Sequence, residues 1–198
     1  RTAADFERLA YNPIQMKDKT VCVIGAGGIG QDVGKLCAAM GMRVIGTRRT
    51  AGSLPEGFDA IYTADKLMDI LPEADFVSIC CQWTPDTEGL IGKETLGAMK
   101  DGVVLCNLAR GEIVDEAALK DALKAGKLRG VGLDVYVGEF DRLPDPELWA
   151  DDRVLFTPHI SAATDIRSTR QIDLFCDNLE AYVAGRPLDN VLDWERAY

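Results

Sequence analysis

Val21-Cys22-Val23-Ile24-Gly25-Ala26-Gly27-Gly28-Ile29-Gly30 is the stretch on which the fold turns. Four apolar residues suit a short buried strand, the glycines a tight turn. Beyond them Ile29, Val33, Leu36, Cys37 and Met40 recur at helical spacing. A bare G-x-G-x-x-G is weak evidence, but here it stands between a strand and a helix, as the motif requires. Gly25 permits the turn, Gly27 lets a pyrophosphate approach the backbone, and Gly30 lets the helix pack on the strand. The N–H groups of Gly28 and Ile29, together with the helix dipole, would hold the phosphates. A glycine turn without a ligand is the competing reading.

Outward from this stretch, apolar runs alternate with helical patterns from near residue 18 to near residue 160. Strands are expected at Val21–Ile24, Val44–Thr47, Ala60–Tyr62, Phe76–Cys80, Val103–Cys106, Gly130–Val135 and Val154–Phe156. Several are apolar throughout, which fits parallel strands covered on both faces. Asp115-Glu116 opens a helix with acid at the positive end of its dipole, and Ala125-Gly126 closes it. The alternation predicts a doubly wound parallel α/β sheet, a Rossmann fold of about seven strands. Ile172, Phe175, Leu179, Tyr182 and Val183 give the stripe of a last helix that ends at Gly185, with Val191, Leu192 and Trp194 in the tail. Ala3 to Tyr11 form at most a short helix. The expectation is one dinucleotide-binding domain over 1–198: a leading segment 1–17, a core 18–162, and a C-terminal helix and tail 163–198.

Composition narrows the function. The 198 residues include 22 basic and 32 acidic side chains, a formal charge of -10 that disfavours non-specific nucleic-acid binding. Cys22, Cys37, Cys80, Cys81, Cys106 and Cys176 contain no C-x-x-C pair, and one histidine makes no zinc pattern. Free thiols in apolar runs point to a reducing cytoplasm. No stretch has the length of a membrane helix. The chain opens with Arg1 rather than Met.

The end of the second strand selects between cofactors. NAD-binding chains usually place Asp or Glu there, accepting from the ribose hydroxyls. Thr47-Arg48-Arg49-Thr50 has no acid, and two guanidinium groups suit a phosphate. NADP is therefore the preferred cofactor, with NAD possible and the arginines then only solvated charges. Further along, Asn107-Leu108-Ala109-Arg110-Gly111, Gly132-Leu133-Asp134-Val135 with Glu139, and Thr157-Pro158-His159-Ile160 each follow a strand. Ligands in open α/β sheets bind beyond those carboxyl ends. An arginine, acids and the only histidine thus reach one rim.

At these residues the chain resembles the nucleotide-binding domain of the D-isomer-specific 2-hydroxyacid dehydrogenases, from about Lys17 to Leu192. The likeness includes Lys19 to Gly30, Asp75-Phe76-Val77-Ser78 and Thr84-Pro85-Asp86-Thr87-Glu88-Gly89-Leu90-Ile91. It continues through Leu108-Ala109-Arg110-Gly111-Glu112-Ile113-Val114-Asp115, Leu133-Asp134-Val135 and Thr157-Pro158-His159-Ile160. The resemblance implies that Arg110 holds the substrate carboxylate, that His159 donates and accepts the proton, and that Glu139 pairs with that histidine. It implies cofactor contacts at Gln82, Leu108, Asp134 and Ala162 as well, with Asp134 at the nicotinamide end. A carboxylate beside an imidazole favours its protonated form.

Two departures stand out. Gln82 occupies a position where the family usually has proline, beside the nicotinamide. The family's substrate domain, built mostly from sequence preceding this domain, is largely absent from these residues. The resemblance therefore implies the cofactor domain of a reductase for a small 2-oxo acid such as glyoxylate or hydroxypyruvate, inactive as this chain alone. It also implies a homodimer, for which Leu96, Met99 and Trp149 are candidate contacts. A non-catalytic, corepressor-like dinucleotide sensor is the alternative, since such relatives can keep the same three residues.

Overall fold

The structure, a computed structural model, describes residues 13–50, 52–192 and 194. Its strands are β1 (Thr20–Ile24), β2 (Arg43–Arg48), β3 (Ala60–Thr63), β4 (Phe76–Ile79), β5 (Val103–Asn107), β6 (Leu128–Leu133) and β7 (Val154–Phe156). They form one parallel sheet in the order β3-β2-β1-β4-β5-β6-β7. All seven expected strands are present, their ends moved by at most two residues. The order reverses where β1 pairs with β4, Val21 opposite Phe76 and Ile24 opposite Ile79. Such a reversal opens a crevice beyond the carboxyl ends of the strands.

Two-sided cover explains the apolar runs. In β1, Cys22 and Ile24 join a core with Leu71, Ile79, Leu105 and Leu133, while Val21 and Val23 meet Val44 and Phe58 on the other face. A strand buried on both sides has no polar face to show. Burial, with Glu73 nearby, pushes the Cys22 thiol up to about 12. All six cysteines are free.

The helices follow their signals, with informative exceptions. Asp115 caps α4 (Glu116–Lys124), accepting from the N–H groups of Ala117 and Ala118 at 2.9 and 3.1 Å. In α1 (Gly28–Ala39), by contrast, Ile29 and Leu36 face outward, and Met40, which caps its end, is exposed. The helix meets the sheet at Gly30 and Gly34, with Val33, Cys37 and Ala38 packed on the core beside them, and a Cβ on Gly34 would lie 2.2 Å from the Phe58 ring. Close approach through glycine sets which face turns inward, so Val33 and Cys37 go in with it while Ile29 and Leu36 go out.

Two of the three residues suggested for a dimer contact are not available to one. Leu96, on α3 (Lys93–Ala98), and Met99 are buried in the core, because α3 packs on α4. Trp149, on α5 (Pro146–Ala150), is exposed, its ring 5.5 Å from that of Phe156. α6 (Arg167–Val183) buries only Ala181 among the described residues. The helix expected within Ala3 to Tyr11 lies outside the described residues. No described helix is long and apolar enough to cross a membrane.

Candidate active site

The β1–α1 turn has the backbone its glycines permit. Gly25 adopts φ +94°, and a Cβ there would lie 2.5 Å from the Cys81 backbone. Its N–H and that of Ala26 both donate to the Thr47 carbonyl, at 3.0 and 2.7 Å, lashing the turn to the end of β2. A Cβ on Gly30 would stand 2.1 Å from the Gly25 carbonyl oxygen, so the helix starts directly against the turn. In front of Gly27 and Gly28, local backbone aside, no atom of the described residues lies within 4 Å of where a Cβ would be. Bare glycine backbone therefore faces open space where the first helical N–H groups lack intrahelical acceptors. A dinucleotide pyrophosphate fits there.

The end of β2 carries a second sign of an anion. Arg48 is half-buried; its guanidinium donates to the Ser53 carbonyl and lies against Gly52. Its Nε is buried without a hydrogen-bond partner among the described residues. A buried donor left unmatched is costly, the more so on a cation. A phosphate at this strand end would meet the guanidinium as a whole, through its terminal nitrogens. Arg49 follows, exposed.

The remaining candidates follow the neighbouring ends of β4, β5, β6 and β7. The turn carrying Arg110 is held by Asn107, fully buried, which accepts from the Ala109 N–H (3.0 Å) and donates to the Arg110 carbonyl (2.8 Å). The exposed Arg110 guanidinium itself donates to the Ala109 carbonyl at 2.7 Å. Leu108 is half-buried, its N–H on the Ile79 carbonyl at 3.2 Å. Gln82 and Ala162 are exposed, Ala162 in a shallow groove with Arg167 and Arg170 at the start of α6.

His159 and Glu139 meet directly. The imidazole Nδ1 lies 2.8 Å from Glu139 Oε1, the carboxylate nearly enclosed and the ring about one-third exposed. His159 adopts φ +50°, a left-handed conformation uncommon for non-glycine residues, though histidine takes it more readily than most. Its N–H donates to the carbonyls of Asp134 (2.8 Å) and Thr157 (3.0 Å). The buried Asp134 carboxylate accepts from the Thr157 hydroxyl and from the N–H groups of Ile160 (3.0 Å) and Ser161 (2.9 Å). Burial alone would raise its pKa; the hydrogen bonds from Thr157, Ser161 and Ile160 outweigh it and hold the carboxyl at about 2. Asp134 is thus charged, and it fastens the loop that carries His159.

Asn107 and Thr157 stand inside the quoted motifs without a role of their own there, and Ser161 lies just outside them. The only signal for Asn107 is a polar residue closing an otherwise apolar strand. Thr157 and Ser161 flank His159 at two residues on either side, and their partner Asp134 lies on a different strand.

The family model for the NAD binding domain of the D-isomer specific 2-hydroxyacid dehydrogenases matches residues 2–161. The chain belongs to this family. Among curated relatives, it is 35% identical to a hydroxypyruvate reductase from Blautia hydrogenotrophica over 181 residues, 91% of this chain and 55% of that protein. Among solved structures, a D-isomer specific 2-hydroxyacid dehydrogenase from Xanthobacter autotrophicus, in complex with NADPH and MES, superposes with a TM-score of 0.85 at 33% identity. That match covers 95% of this chain and 76% of the other. An NADPH-dependent glyoxylate/hydroxypyruvate reductase from Sinorhizobium meliloti, in complex with NADP and sulfate, gives 0.86 at 30% identity, covering 95% of this chain and 60% of the other. This dehydrogenase-family domain therefore spans little more than half the length of the hydroxypyruvate reductase it matches.

Proposed function

We propose that this domain serves an oxidoreductase that prefers NADP to NAD and reduces small 2-oxo acids, of the glyoxylate or hydroxypyruvate kind, to D-2-hydroxy acids. The carrying observation is the Glu139–His159 pair, 2.8 Å apart, on the same sheet rim as Arg110. Residues 18–162 act as the cofactor-binding core and 163–198 as an appended helix and tail. Gly25, Gly27, Gly28, Ile29 and Gly30 hold the pyrophosphate, Arg48 and Arg49 the 2′-phosphate. Gln82, Leu108, Asp134 and Ala162 border the nicotinamide end. When bound, the reduced nicotinamide supplies a hydride to the substrate carbonyl carbon.

The protein's own residues supply the rest. Arg110 exchanges the Ala109 carbonyl for the substrate carboxylate, gripping it bidentately and fixing which carbonyl face is presented. With Nδ1 on Glu139, His159 gives a proton to the carbonyl oxygen through Nε2, and the carboxylate stabilises the imidazolium. The Asp134 network holds that ring in place. In the full-length protein, His159→Ala should abolish most of kcat while leaving cofactor affinity nearly unchanged. Activity that survives the substitution would overturn the assignment, and an inactive wild type would favour a dinucleotide sensor. The 198-residue chain alone should bind NADPH without turnover.

The cofactor preference rests on the Arg48 guanidinium at the end of β2 and on the lack of an acid there. Arg48→Asp should weaken NADPH about ten- to a hundredfold, the worth of one charge-assisted hydrogen bond, and leave NADH unchanged or tighter. The loss should shrink at high salt. Equal affinity of the wild type for both cofactors would refute the preference. We also place the protein in the cytoplasm, as a homodimer; six free cysteines support the first and family likeness the second. Sedimentation as a monomer at micromolar concentration would refute the dimer.

A further inference from the structure

Glu139 does not sit on a strand or helix. It lies in the turn 136–142, and that turn is closed by its own hydrogen bonds. Tyr136 Oη donates to the Arg142 carbonyl at 2.8 Å. The Asp141 and Arg142 N–H groups donate to the Gly138 carbonyl at 2.9 and 3.0 Å. Gly138, at φ +75°, has the Arg142 side chain packed where its Cβ would be. A closed turn is rigid within itself, but it still needs fixing to the sheet.

That fixing comes from the segment that follows Arg110. Gly111 is buried with its Cα against the turn's entry: a Cβ there would lie 2.1 Å from the Tyr136 carbonyl carbon and 2.3 Å from the Val137 nitrogen. Glu116, the first residue of α4, then spans the turn with both carboxylate oxygens. Oε1 accepts from the Val137 N–H at 3.2 Å, and Oε2 from the Arg142 guanidinium at 2.9 Å. One oxygen thus holds each end of the turn, with Glu139 between them. The Glu116 side chain is only 19% exposed, so the bracket is less screened than an open surface pair.

We propose that Glu116 is a positioning residue: by bracketing Val137 and Arg142 it sets the Glu139 carboxylate against His159 Nδ1. The proposal rests on the reading of His159 as proton donor. Arg110 and Glu139 are thereby placed by one continuous segment, 110–116. Substrate anchor and proton-donor support then keep a fixed separation.

His159 is the only histidine in the chain, so its imidazole resonances can be read by NMR without assignment. In Glu116→Ala, those resonances should move toward the values seen in Glu139→Gln. In the full-length protein the same substitution should lower kcat about tenfold, because small misplacements of a reacting group are costly. KM for the 2-oxo acid and the cofactor Kd should stay within about twofold. Glu116→Gln keeps an acceptor for the Val137 N–H and should recover most of kcat. Should Glu116→Ala fail to fold, Arg142→Lys, which keeps the packing on Gly138 and removes the guanidinium arm, is read the same way.

Imidazole resonances that do not move in a folded variant would overturn the proposal. So would a loss of cofactor affinity in step with kcat, the mark of a general structural role. Activity that survives His159→Ala would instead refute the proton-donor reading, and the resonances would still decide whether Glu116 places Glu139.

Discussion

The sheet, residues 20–156, and the stretch from His159 to Leu192 both carry regular apolar patterns but end in different surroundings. In the sheet, Ile79, Leu105 and Ile45 are fully enclosed, with partners on both faces. In α6, Ile172, Phe175, Leu179, Tyr182 and Val183 recur at helical spacing, yet all are exposed. The helix is well made locally: Gly185 closes it at φ +66°, and Asn178 clasps the backbone of Asp189 at 2.8 and 3.0 Å. What it lacks is cover from the described residues. Periodicity specifies a helix and its apolar face; it does not specify what that face meets. His159 stands at the boundary between the two regimes, and Asp134 ties its loop to the sheet side.

The largest effect that would break the comparison lies in the sheet. Ile79→Ala removes a side chain with no exposed surface at the β1–β4 switch point. Truncation at such a site costs about 2–5 kcal/mol, depending on how far the cavity collapses. Urea denaturation should show it as a fall in midpoint at unchanged slope. A loss below about 1 kcal/mol would mean that the sheet is no better packed than α6.

Asp134 sharpens the boundary. Lowering its pKa from an ordinary 3.8 to about 2 corresponds to stability on the order of 2 kcal/mol. Because the folded value is the lower one, that contribution is fully present above about pH 4. It disappears as the pH falls towards 2. Asp134→Asn should therefore be less stable than wild type at pH 7, with the difference closing between about pH 4 and 2. It should also release the 157–161 loop and slow any turnover that depends on His159. A gap that persists unchanged at pH 2 would mean that lost packing, rather than charge, is responsible.

How much was legible follows the same division. Seven strands could be read because a parallel strand buried on both faces is apolar along its length, as in Val21 to Ile24. The order of Arg110, Glu139 and His159 along the chain already implied one rim, since each follows a strand. The inward face of α1 was legible only in part: Val33 and Cys37 of its apolar set pack on the core, but Gly30 and Gly34, which carry no hydrophobic signal, are the residues it buries. Nor were Leu96 and Met99 separable from surface residues before α3 was seen on α4. The Asp134 network and the Glu116 bracket join residues 23 to 27 and 21 to 26 positions apart, so only the fold brings them together.

The smallest expected effect belongs to α6. Phe175 is 66% exposed and Tyr182 73% exposed, so neither removes much apolar area from water within this chain. At about 25 cal/mol per Å² of buried apolar area, truncating a mostly exposed ring forfeits little. Alanine is also the better helix former, by a few tenths of a kcal/mol, and offsets part of that loss. Phe175→Ala and Tyr182→Ala should therefore each change the stability of the 198-residue chain by less than about 0.5 kcal/mol. A helix with so little tertiary contact should open locally, and its amides should exchange well before those of β1, β4 and β5. Equal protection across α6 and the sheet, or a loss of several kcal/mol from either substitution, would show that the apolar face is covered in solution, and the contrast between the two regions would fail.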